Sequence, residues 1–462
     1  MIFVVLFFAL VIRLIFINQS LWLDEAIQIL AVRNFSYQSL IVQYSIGDFH
    51  PPLYHLILKF WTSIFGFSEI NTRLLSVLFG VGTVWVVYLI GKQLAGKTLG
   101  ILSALFLAVA PLHIYYSQEA RMYAAAAFFV SLSVFTFLRL IKNGSFFNWS
   151  FFFISSLLFF YTDYLPWLMV IPFNLWVFWQ RKNLGKSWVI RWLVIQLGLL
   201  VFLLPWFPFL ARQLAVGHAA SQAAPLWGQT VGGFTFKALP LTFAKFIFGR
   251  ISFDNKVIYG LVFLLSFSFF TLLILKNFTK LSKERVLLFL WLILPIILGW
   301  ILSLFLPVYS YFRFLFVLPA MYILIAWGVE LFKPSKTKIK IIIAVLIFSL
   351  ASQIYFWLSP RFHREDWRGA VSWIEEKAGD TNSGTVFVTI YQTAPYNYYA
   401  PKVPFYGPDG WQTENLKQIF LMRYVQPIFD PKDLLRQEIE ESGYRKVEEK
   451  DFNGVTIWYY RL

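Results

Sequence analysis

Long apolar segments separated by short polar ones dominate the chain from its first residue to about residue 358. A membrane span needs about 20 apolar residues, and this pattern predicts about eleven spans. They lie near residues 1–18, 73–91, 97–114, 121–141, 148–163, 164–180, 189–210, 256–275, 286–306, 311–332 and 339–358. The first segment has neither a basic start nor a small-residue cleavage site, so we interpret it as a retained span.

Beyond residue 358 the pattern becomes that of a soluble α/β domain. "DWRGAVSWIEEK", "TAPYNYYA" and "DPKDLLRQEIEESG" predict helices, whereas "GTVFVTI" and "VPFYG" predict strands. The segment from Tyr444 to the end predicts a hairpin that turns at Asn453–Gly454. The sequence therefore predicts an α-helical polytopic membrane domain over residues 1–358 and a small α/β domain over residues 359–462.

Composition agrees with a membrane protein. Hydrophobic residues make up 58% of the 462 residues and charged residues only 14%, whereas soluble domains average about 25% charged. The mean hydropathy is +0.64. The chain has no cysteine, which excludes disulfides and thiolate metal sites.

The net charge of +16 is unevenly distributed. The chain from Arg361 onward carries a net charge of −2, so the first 360 residues carry +18. A basic membrane domain is typical of cytoplasmic loops that face anionic lipids. Membrane lipids are therefore the expected charged partners, and nucleic acid is not, because no segment resembles a base-reading module.

The positions of the basic residues predict the topology. Lysines and arginines concentrate in alternate loops near residues 92–97, 139–142, 181–191, 276–285 and 333–340, which we expect to be cytoplasmic. The loops 19–72 and 211–255 and the C-terminal domain are then outside. Most acidic residues of the first 360 fall on that outer side. Acids also avoid an anionic inner surface, but their local clustering indicates a site at the outer face.

Two motifs in the first outer loop carry candidate chemistry. "LWLDEA" places Asp24 and Glu25 at the outer end of the first span, before a segment with the spacing of an amphipathic interfacial helix. Alternatively, Asp24 caps that helix and Glu25 interacts with its dipole. "GDFHPPLYH" places Asp48 and His50 beside a rigid Pro51–Pro52 corner. His50 is suited to phosphate binding, metal binding or proton transfer, and the alternative is an interfacial histidine beside a turn.

Three further motifs lie at the same predicted face. "YYSQEARMY" puts Glu119 and Arg121 at the start of the fourth span, where a helix N-terminus favours anions. Arg121 is suited to bind a phosphate that Glu119 orients, and the alternative is a Glu119–Arg121 ion pair. "FYTDYLPW" contributes Asp163, and "VYSYFRF" contributes Tyr309 and Arg313. For Arg313 the alternative is a side chain that extends to the membrane interface.

One apparent nucleotide-binding motif is rejected. "GKQLAGKT", from Gly91 to Thr98, fits the P-loop pattern letter for letter. A phosphate-binding P-loop follows a buried strand in a soluble fold, whereas this segment is predicted to be a short turn between two spans.

The motifs "LWLDEA", "HPPLYH" and "YYSQEARMY", in this order, resemble those of the GT-C fold glycosyltransferases that use polyprenyl-phosphate sugars. The likeness is to the bacterial protein O-mannosyltransferase and lipid A aminoarabinose transferase group, families 39 and 83, and it covers roughly residues 1–165. It implies a catalytic carboxylate at Asp24, a lipid-phosphate sugar donor and inversion at the anomeric carbon. The sequence departs from that pattern at Asp163, where histidine is expected, and at His50, where the aminoarabinose branch is rich in lysine.

These observations predict a membrane hexosyl- or pentosyltransferase that acts at the outer face of the plasma membrane. Its acceptor would be a hydroxyl of a lipid, glycan or protein. We expect the following roles: Asp24 as catalytic base; Glu25 and Asp48 supporting the base or the acceptor; Arg121, His50, Arg313 and Tyr309 binding the donor phosphate; and Glu119 and Asp163 in support. No cofactor is assigned. A divalent metal stays open, with Asp48, His50 and Asp163 as candidate ligands.

The alternative function is a polytopic transporter or lipid flippase, since ionisable residues in membrane domains also mark transport paths. Transporters often contain paired repeats and broken helices at the membrane midplane. The sequence shows no repeat, and its charges gather at one face.

The predicted topology can be tested with single cysteines in this cysteine-free chain. We expect an impermeant thiol reagent to label Ser442→Cys in intact cells and to label Ser335→Cys only after permeabilisation. The unsubstituted protein is the control. Labelling of Ser335→Cys alone in intact cells would invert the topology.

Overall fold

The computed structural model describes residues 1–223 and 232–462, and most of this chain is helical. The membrane domain contains the helices Ile2–Leu14, Leu23–Asn34, Leu53–Phe65, Glu69–Ala95, Lys97–Ala108, Pro111–Ser117, Tyr123–Lys142, Phe146–Phe160, Val170–Leu184, Lys186–Leu203, Phe207–Ala223, Ala238–Phe248, Lys256–Leu275, Lys283–Leu302, Leu318–Glu330 and Ser335–Leu358. Shorter helical turns, including Tyr37–Ser39, Leu40–Tyr44 and Ser45–Asp48, connect them.

Within the described ranges, seven helical segments are long and apolar enough to cross a membrane. A bent pair, Lys97–Ala108 and Pro111–Ser117, counts as an eighth if its two helices form one span broken by 66°. Ile2–Leu14, Phe146–Phe160 and Ala238–Phe248 are apolar but shorter. The predicted helical multi-pass class is confirmed, while several predicted spans are shorter or more broken than a 20-residue window suggests.

The predicted outer loop 211–255 is helical over much of its described length. The helical segment from Lys186 continues to Gln222 across a short turn at Leu204–Trp206, and Ala238–Phe248 is another helix. Polar residues end the apolar segment near residue 210, which is why a loop was predicted beyond it. A helix outside the hydrocarbon core of the membrane can form without an apolar segment. Residues 224–231 of this predicted loop lie outside the described residues.

The centre of the membrane domain is packed around the helix Glu69–Ala95. Small residues let its neighbour Lys97–Ala108 approach closely, since a Cβ added at Gly91 would lie 2.8 Å from the Cα of Gly100. The segment Tyr311–Glu330 is also central, with 89% of its apolar window buried. By contrast, only 17% of the apolar window is buried in Lys186–Gln222 and in Lys256–Lys280. Most of their apolar side chains are therefore available to contact lipid.

The predicted first outer loop contains a helix whose first turn includes Asp24 and Glu25. This helix, Leu23–Asn34, is called the loop helix below. Its apolar residues Ala26, Ile29 and Val32 recur at helical spacing and are fully buried, whereas Asn34 at its end is exposed. The helix predicted for this segment is therefore confirmed over Leu23–Asn34, whereas the residues that follow Phe35 form separate short turns.

The C-terminal domain is a five-stranded sheet in the order β2-β1-β3-β5-β4. The strands are β1 Ser383–Phe387, β2 Phe405–Tyr406, β3 Gln418–Met422, β4 Arg445–Phe452 and β5 Val455–Arg461, and the helices are Trp367–Ala378, Ala394–Tyr399, Gln426–Phe429 and Leu434–Glu441. β1 pairs in parallel with β2 and β3, whereas β5 is antiparallel to both β3 and β4. The helix Trp367–Ala378 packs on one face of this sheet and Leu434–Glu441 on the other.

The predicted elements of this domain are present, and β3 is an addition. Both Asn453 and Gly454 have positive φ, as the predicted two-residue hairpin turn requires. β3 is buried along its whole length and so shows no polar–apolar alternation, which is why its sequence "QIFLM" gave no clear strand signal.

Candidate active site

Asp24 is the second residue of the loop helix and lies near the charged side chains of Arg121, Asp48, His50 and Arg313. The residue is partly exposed, and its carboxylate accepts no hydrogen bond from residues 1–223 or 232–462. Burial raises the pKa of Asp24, while the nearby positive groups Arg121, His50 and Arg313 oppose this rise. The result is a carboxylate with free lone pairs and an increased affinity for a proton, which is the property of a general base.

Glu25, the next residue, has the opposite environment. Its two oxygens accept from Nε and Nη2 of Arg73 at 2.8 and 2.5 Å, and the backbone N–H of Ala120 donates to Oε1 at 2.8 Å. Both side chains of this ion pair are 0% exposed. Burial alone would raise the pKa of Glu25, but Arg73 and Arg364 outweigh it and lower the pKa. Glu25 therefore fixes the start of the loop helix, whereas Asp24 has no such partners among the described residues.

Arg73 also holds the backbone that leads to these two carboxylates. Its guanidinium donates to the carbonyl oxygens of Ile17 and Gln19 at 2.8 and 2.5 Å, and to that of Ser20 at 3.0 Å. Arg73 is not among the residues predicted for the site. An available signal was its position at the start of an apolar span, where an arginine is expected to have buried partners.

Asp48 is the centre of a second polar cluster. Oδ1 accepts from Nη1 of Arg121 at 2.9 Å and from the Tyr44 hydroxyl at 3.1 Å. Oδ2 lies 3.0 Å from Nδ1 of His50 and 3.3 Å from Nε2 of His55. Burial would raise the pKa of Asp48, but Arg121 and His50 hold it well below its usual range. Asp48 is thus an ionised carboxylate that holds Arg121 and His50 in place, and it is not suited to accept a proton.

Arg121 and Glu119 do not pair with each other, so the alternative interpretation of their motif is wrong. Besides Asp48, Arg121 donates from Nη1 to the Gln28 side-chain oxygen at 3.2 Å. Glu119 accepts instead from Arg364 of the C-terminal domain, at 2.7 Å. The sequence could not show this exchange of partners, because Asp48 and Arg364 approach the motif from distant parts of the chain.

The remaining predicted residues differ in their placement. Oδ1 of Asp163 accepts from the backbone N–H of Tyr164 at 2.7 Å. The carboxylate also lies close enough to His50 and Arg313 for electrostatic interaction with them. Arg313 donates to the Val308 carbonyl at 3.2 Å, and no carboxylate of the described chain pairs with it. Tyr309 instead shares a 2.9 Å hydrogen bond with Thr242, and no described bond links it to the clusters around Asp24 and Asp48.

The candidate metal ligands do not fit a divalent cation. Asp48 and His50 lie together, but both carboxylate oxygens of Asp48 already contact side chains, and the Arg121 guanidinium is 2.9 Å away. A fixed positive charge at this point repels a metal ion. In the ranges that the structure describes, no three His, Asp or Glu side chains are arranged to hold a metal.

Comparison with known proteins identifies the fold. Residues 49–206 match the family described as dolichyl-phosphate-mannose-protein mannosyltransferase, a segment that includes His50 and Arg121 but not Asp24. No curated protein matches the chain. The structure is similar to that of ArnT from Cupriavidus metallidurans bound to undecaprenyl phosphate, with a TM-score of 0.62 and 12% identity over 99% of this chain and 97% of that one.

Two structures of an oligosaccharyltransferase from Archaeoglobus fulgidus are also similar. One is a complex with Zn and sulfate, with a TM-score of 0.56 and 12% identity over 98% of this chain and 72% of that one. The other, named AglB, is a complex with an inhibitory peptide and a dolichol-phosphate, with a TM-score of 0.53 and 12% identity over 99% and 74%. The predicted resemblance is confirmed at the level of the fold: the chain has the GT-C fold, and its residues 49–206 match a mannosyltransferase family.

The contrast between the two adjacent carboxylates can be measured. We expect Glu25→Gln to lower the free energy of unfolding by about 3–5 kcal/mol, because it leaves the buried Arg73 without its counter-charge. Asp24→Asn should leave stability near that of the wild type, since Asp24 has no described hydrogen bond to lose. Denaturant unfolding of the purified protein in detergent would measure both, with the exposed Glu414→Gln as control. Equal stability of Glu25→Gln and Asp24→Asn would contradict this assignment.

Proposed function

We propose that this protein is a glycosyltransferase that moves a sugar from a polyprenyl-phosphate-linked donor to a hydroxyl of a lipid, glycan or protein acceptor, with inversion at the anomeric carbon. The observation that carries the proposal is the Asp24 carboxylate, without a hydrogen-bond partner in the described chain and close to Arg121, His50 and Arg313. A base beside several cations matches a reaction that removes one proton and releases one anion.

The reaction balances with these groups alone. Asp24 takes the proton of the acceptor hydroxyl while the oxygen of that hydroxyl attacks the anomeric carbon. The bond from that carbon to the phosphate oxygen breaks, and its electron pair leaves with the lipid phosphate. The donor phosphate carries one negative charge before transfer and gains a second as it leaves, so nearby cations stabilise the transition state more than the ground state.

Arg313 is the best of the predicted phosphate ligands. Its Nε is buried without a hydrogen-bond partner among the described residues, and Nη1 uses only a backbone carbonyl. Arg121 also has an unpartnered Nε within the described chain, but its Nη1 is committed to Asp48 and Gln28. We therefore assign the direct phosphate contact to Arg313 and assign Arg121, with His50, to the local positive field.

A lipid-linked donor is favoured by the position of the polar cluster and by a structural relative. The helical segment Lys186–Gln222, whose apolar window is only 17% buried, contacts this cluster through Gln213, which donates to the carbonyl oxygens of Ser45 and His50. A polyprenyl tail would therefore have a lipid environment beside its phosphate. The similar structure of ArnT contains bound undecaprenyl phosphate, which is the lipid product of such a transfer. The distribution of basic loops favours an extracytoplasmic site in the plasma membrane.

Asp24→Asn tests the proposed base. The substitution retains size and hydrogen-bonding capacity but removes basicity, so we expect turnover to fall by about 10² to 10⁴-fold. Because burial raises the pKa of Asp24, wild-type activity should decline on acidification above the usual aspartate range. Sugar transfer from a synthetic polyprenyl-phosphate donor, followed by mass spectrometry, measures both. Near-wild-type turnover of folded Asp24→Asn would remove Asp24 from the reaction.

Substitution of Arg313 tests the phosphate contact. We expect Arg313→Ala to weaken binding of a polyprenyl-phosphate analogue by about tenfold or more, since a charge-assisted hydrogen bond contributes about 1.5–3 kcal/mol. Arg313→Lys should lose less, because it keeps the charge but not the planar donor geometry. Titration of the folded protein measures the affinity, and Arg445→Ala, an exposed arginine of the C-terminal domain, is the control. Wild-type affinity of Arg313→Ala would refute the assignment.

A further inference from the structure

The C-terminal domain forms hydrogen bonds with the segment that leads to Asp24. The backbone N–H of Arg364 donates to the Gln19 side chain at 2.9 Å, and that of Arg368 donates to the Ser20 hydroxyl at 3.0 Å. The Tyr399 hydroxyl accepts from the backbone N–H of Leu21 at 3.0 Å. The same segment is held from the membrane side by Arg73, so the approach to Asp24 is fixed from both domains.

One carboxylate of the C-terminal domain reaches the start of the loop helix itself. Glu365 accepts from Nε1 of Trp367 at 2.9 Å and from the Tyr424 hydroxyl at 2.8 Å, which fix its orientation. A third and weaker interaction is with the backbone N–H of Leu23, the first residue of the loop helix. Glu365 is also close enough to Asp24 for the two charges to interact.

The loop helix has no cap of its own. Its N-cap residue is Trp22, whose side chain makes no capping hydrogen bond. The first N–H groups of a helix lack partners within the helix and carry partial positive charge. A carboxylate supplied from outside stabilises such an end.

We propose that Glu365 is a positioning residue for catalysis: it supplies the missing N-terminal cap of the loop helix and thereby sets the position and charge environment of Asp24. This inference rests on the proposed role of Asp24 as the base. It gives the C-terminal domain a part in the transfer step itself, because Asp24 is the neighbour of the capped residue Leu23. The hydrogen bonds to Trp367 and Tyr424 make the cap dependent on a folded and docked C-terminal domain.

Other charged groups also face Asp24, and a test must separate Glu365 from them. Groups on the membrane-domain side are Arg121, Asp48, His50, Arg313, Tyr44 and Tyr123, and those of the C-terminal domain are Glu365 and Tyr424. Removal of the Glu365 charge alone takes away one negative neighbour of Asp24. The proton affinity of Asp24 should then fall, so activity should persist to lower pH.

The first test compares kinetics of Glu365→Gln with those of Glu441→Gln, which removes an exposed carboxylate of the same domain. We expect Glu365→Gln to lower kcat by up to about 10²-fold through misplacement of the base, with KM for the donor little changed. The acid limb of its pH profile should move to lower pH. Glu365→Asp, which keeps the charge, should hold the acid limb near its wild-type position, and Glu441→Gln should match the wild type throughout.

A purely structural role for Glu365 gives a different result. Activity would then fall only in step with thermal stability, and the acid limb would not move, which would overturn the proposal. Tyr424→Phe provides an additional test in case Glu365→Gln does not fold. It removes one hydrogen bond to the Glu365 carboxylate and keeps the aromatic packing. It should lower kcat less than Glu365→Gln does. Wild-type kcat and pH dependence in both variants would also refute the proposal.

The second test does not depend on sugar transfer. A hydrophobic carbodiimide reacts with protonated carboxyl groups, so its incorporation at Asp24, measured by peptide mass spectrometry, falls as pH rises. We expect the midpoint of this fall to lie at lower pH in Glu365→Gln than in the wild type and in Glu441→Gln. An unchanged midpoint would overturn the positioning role. If the wild type shows no transfer but the midpoint shifts, the proposed function fails while the coupling of Glu365 to Asp24 stands.

Discussion

The buried ion pair of Glu25 with Arg73 is the interaction on which the site depends. Both groups are removed from water, so neither is stable without the other. The pair joins the loop helix to the long central helix Glu69–Ala95, and the remaining donors of Arg73 hold the carbonyls of Ile17, Gln19 and Ser20. With these bonds in place, Asp24 can remain unpaired within the described structure and still have a fixed position.

Two adjacent acids therefore perform different tasks because their surroundings differ. Glu25 is surrounded by arginine and backbone donors, which keep it ionised. Asp24 has no described hydrogen bond, and burial raises its pKa and so favours its protonated form. A third acid, Asp48, is bound to Arg121 and His50, and that arrangement places positive charge close to Asp24.

Much of this arrangement could be predicted from local sequence. Asp24, Asp48, His50 and Arg121 stood out because polar motifs interrupt long apolar segments, and the structure brings these four together. Partners from distant parts of the chain could not be found in this way. Arg73, Arg364 and Glu365 acquire their roles only through tertiary contacts, and neither periodicity nor motif spacing encodes which arginine meets which carboxylate.

The hydrogen bonds from the C-terminal domain to Gln19, Ser20 and Leu21 have a consequence for biosynthesis. The segment from Gln19 to Leu21 is synthesised early, whereas its partners Arg364, Arg368 and Tyr399 are added more than 300 residues later. These contacts can form only after the whole intervening chain has been made. We therefore expect a nascent or truncated chain to hold Asp24, the proposed base, without its fixed surroundings, so that activity begins only when synthesis is complete.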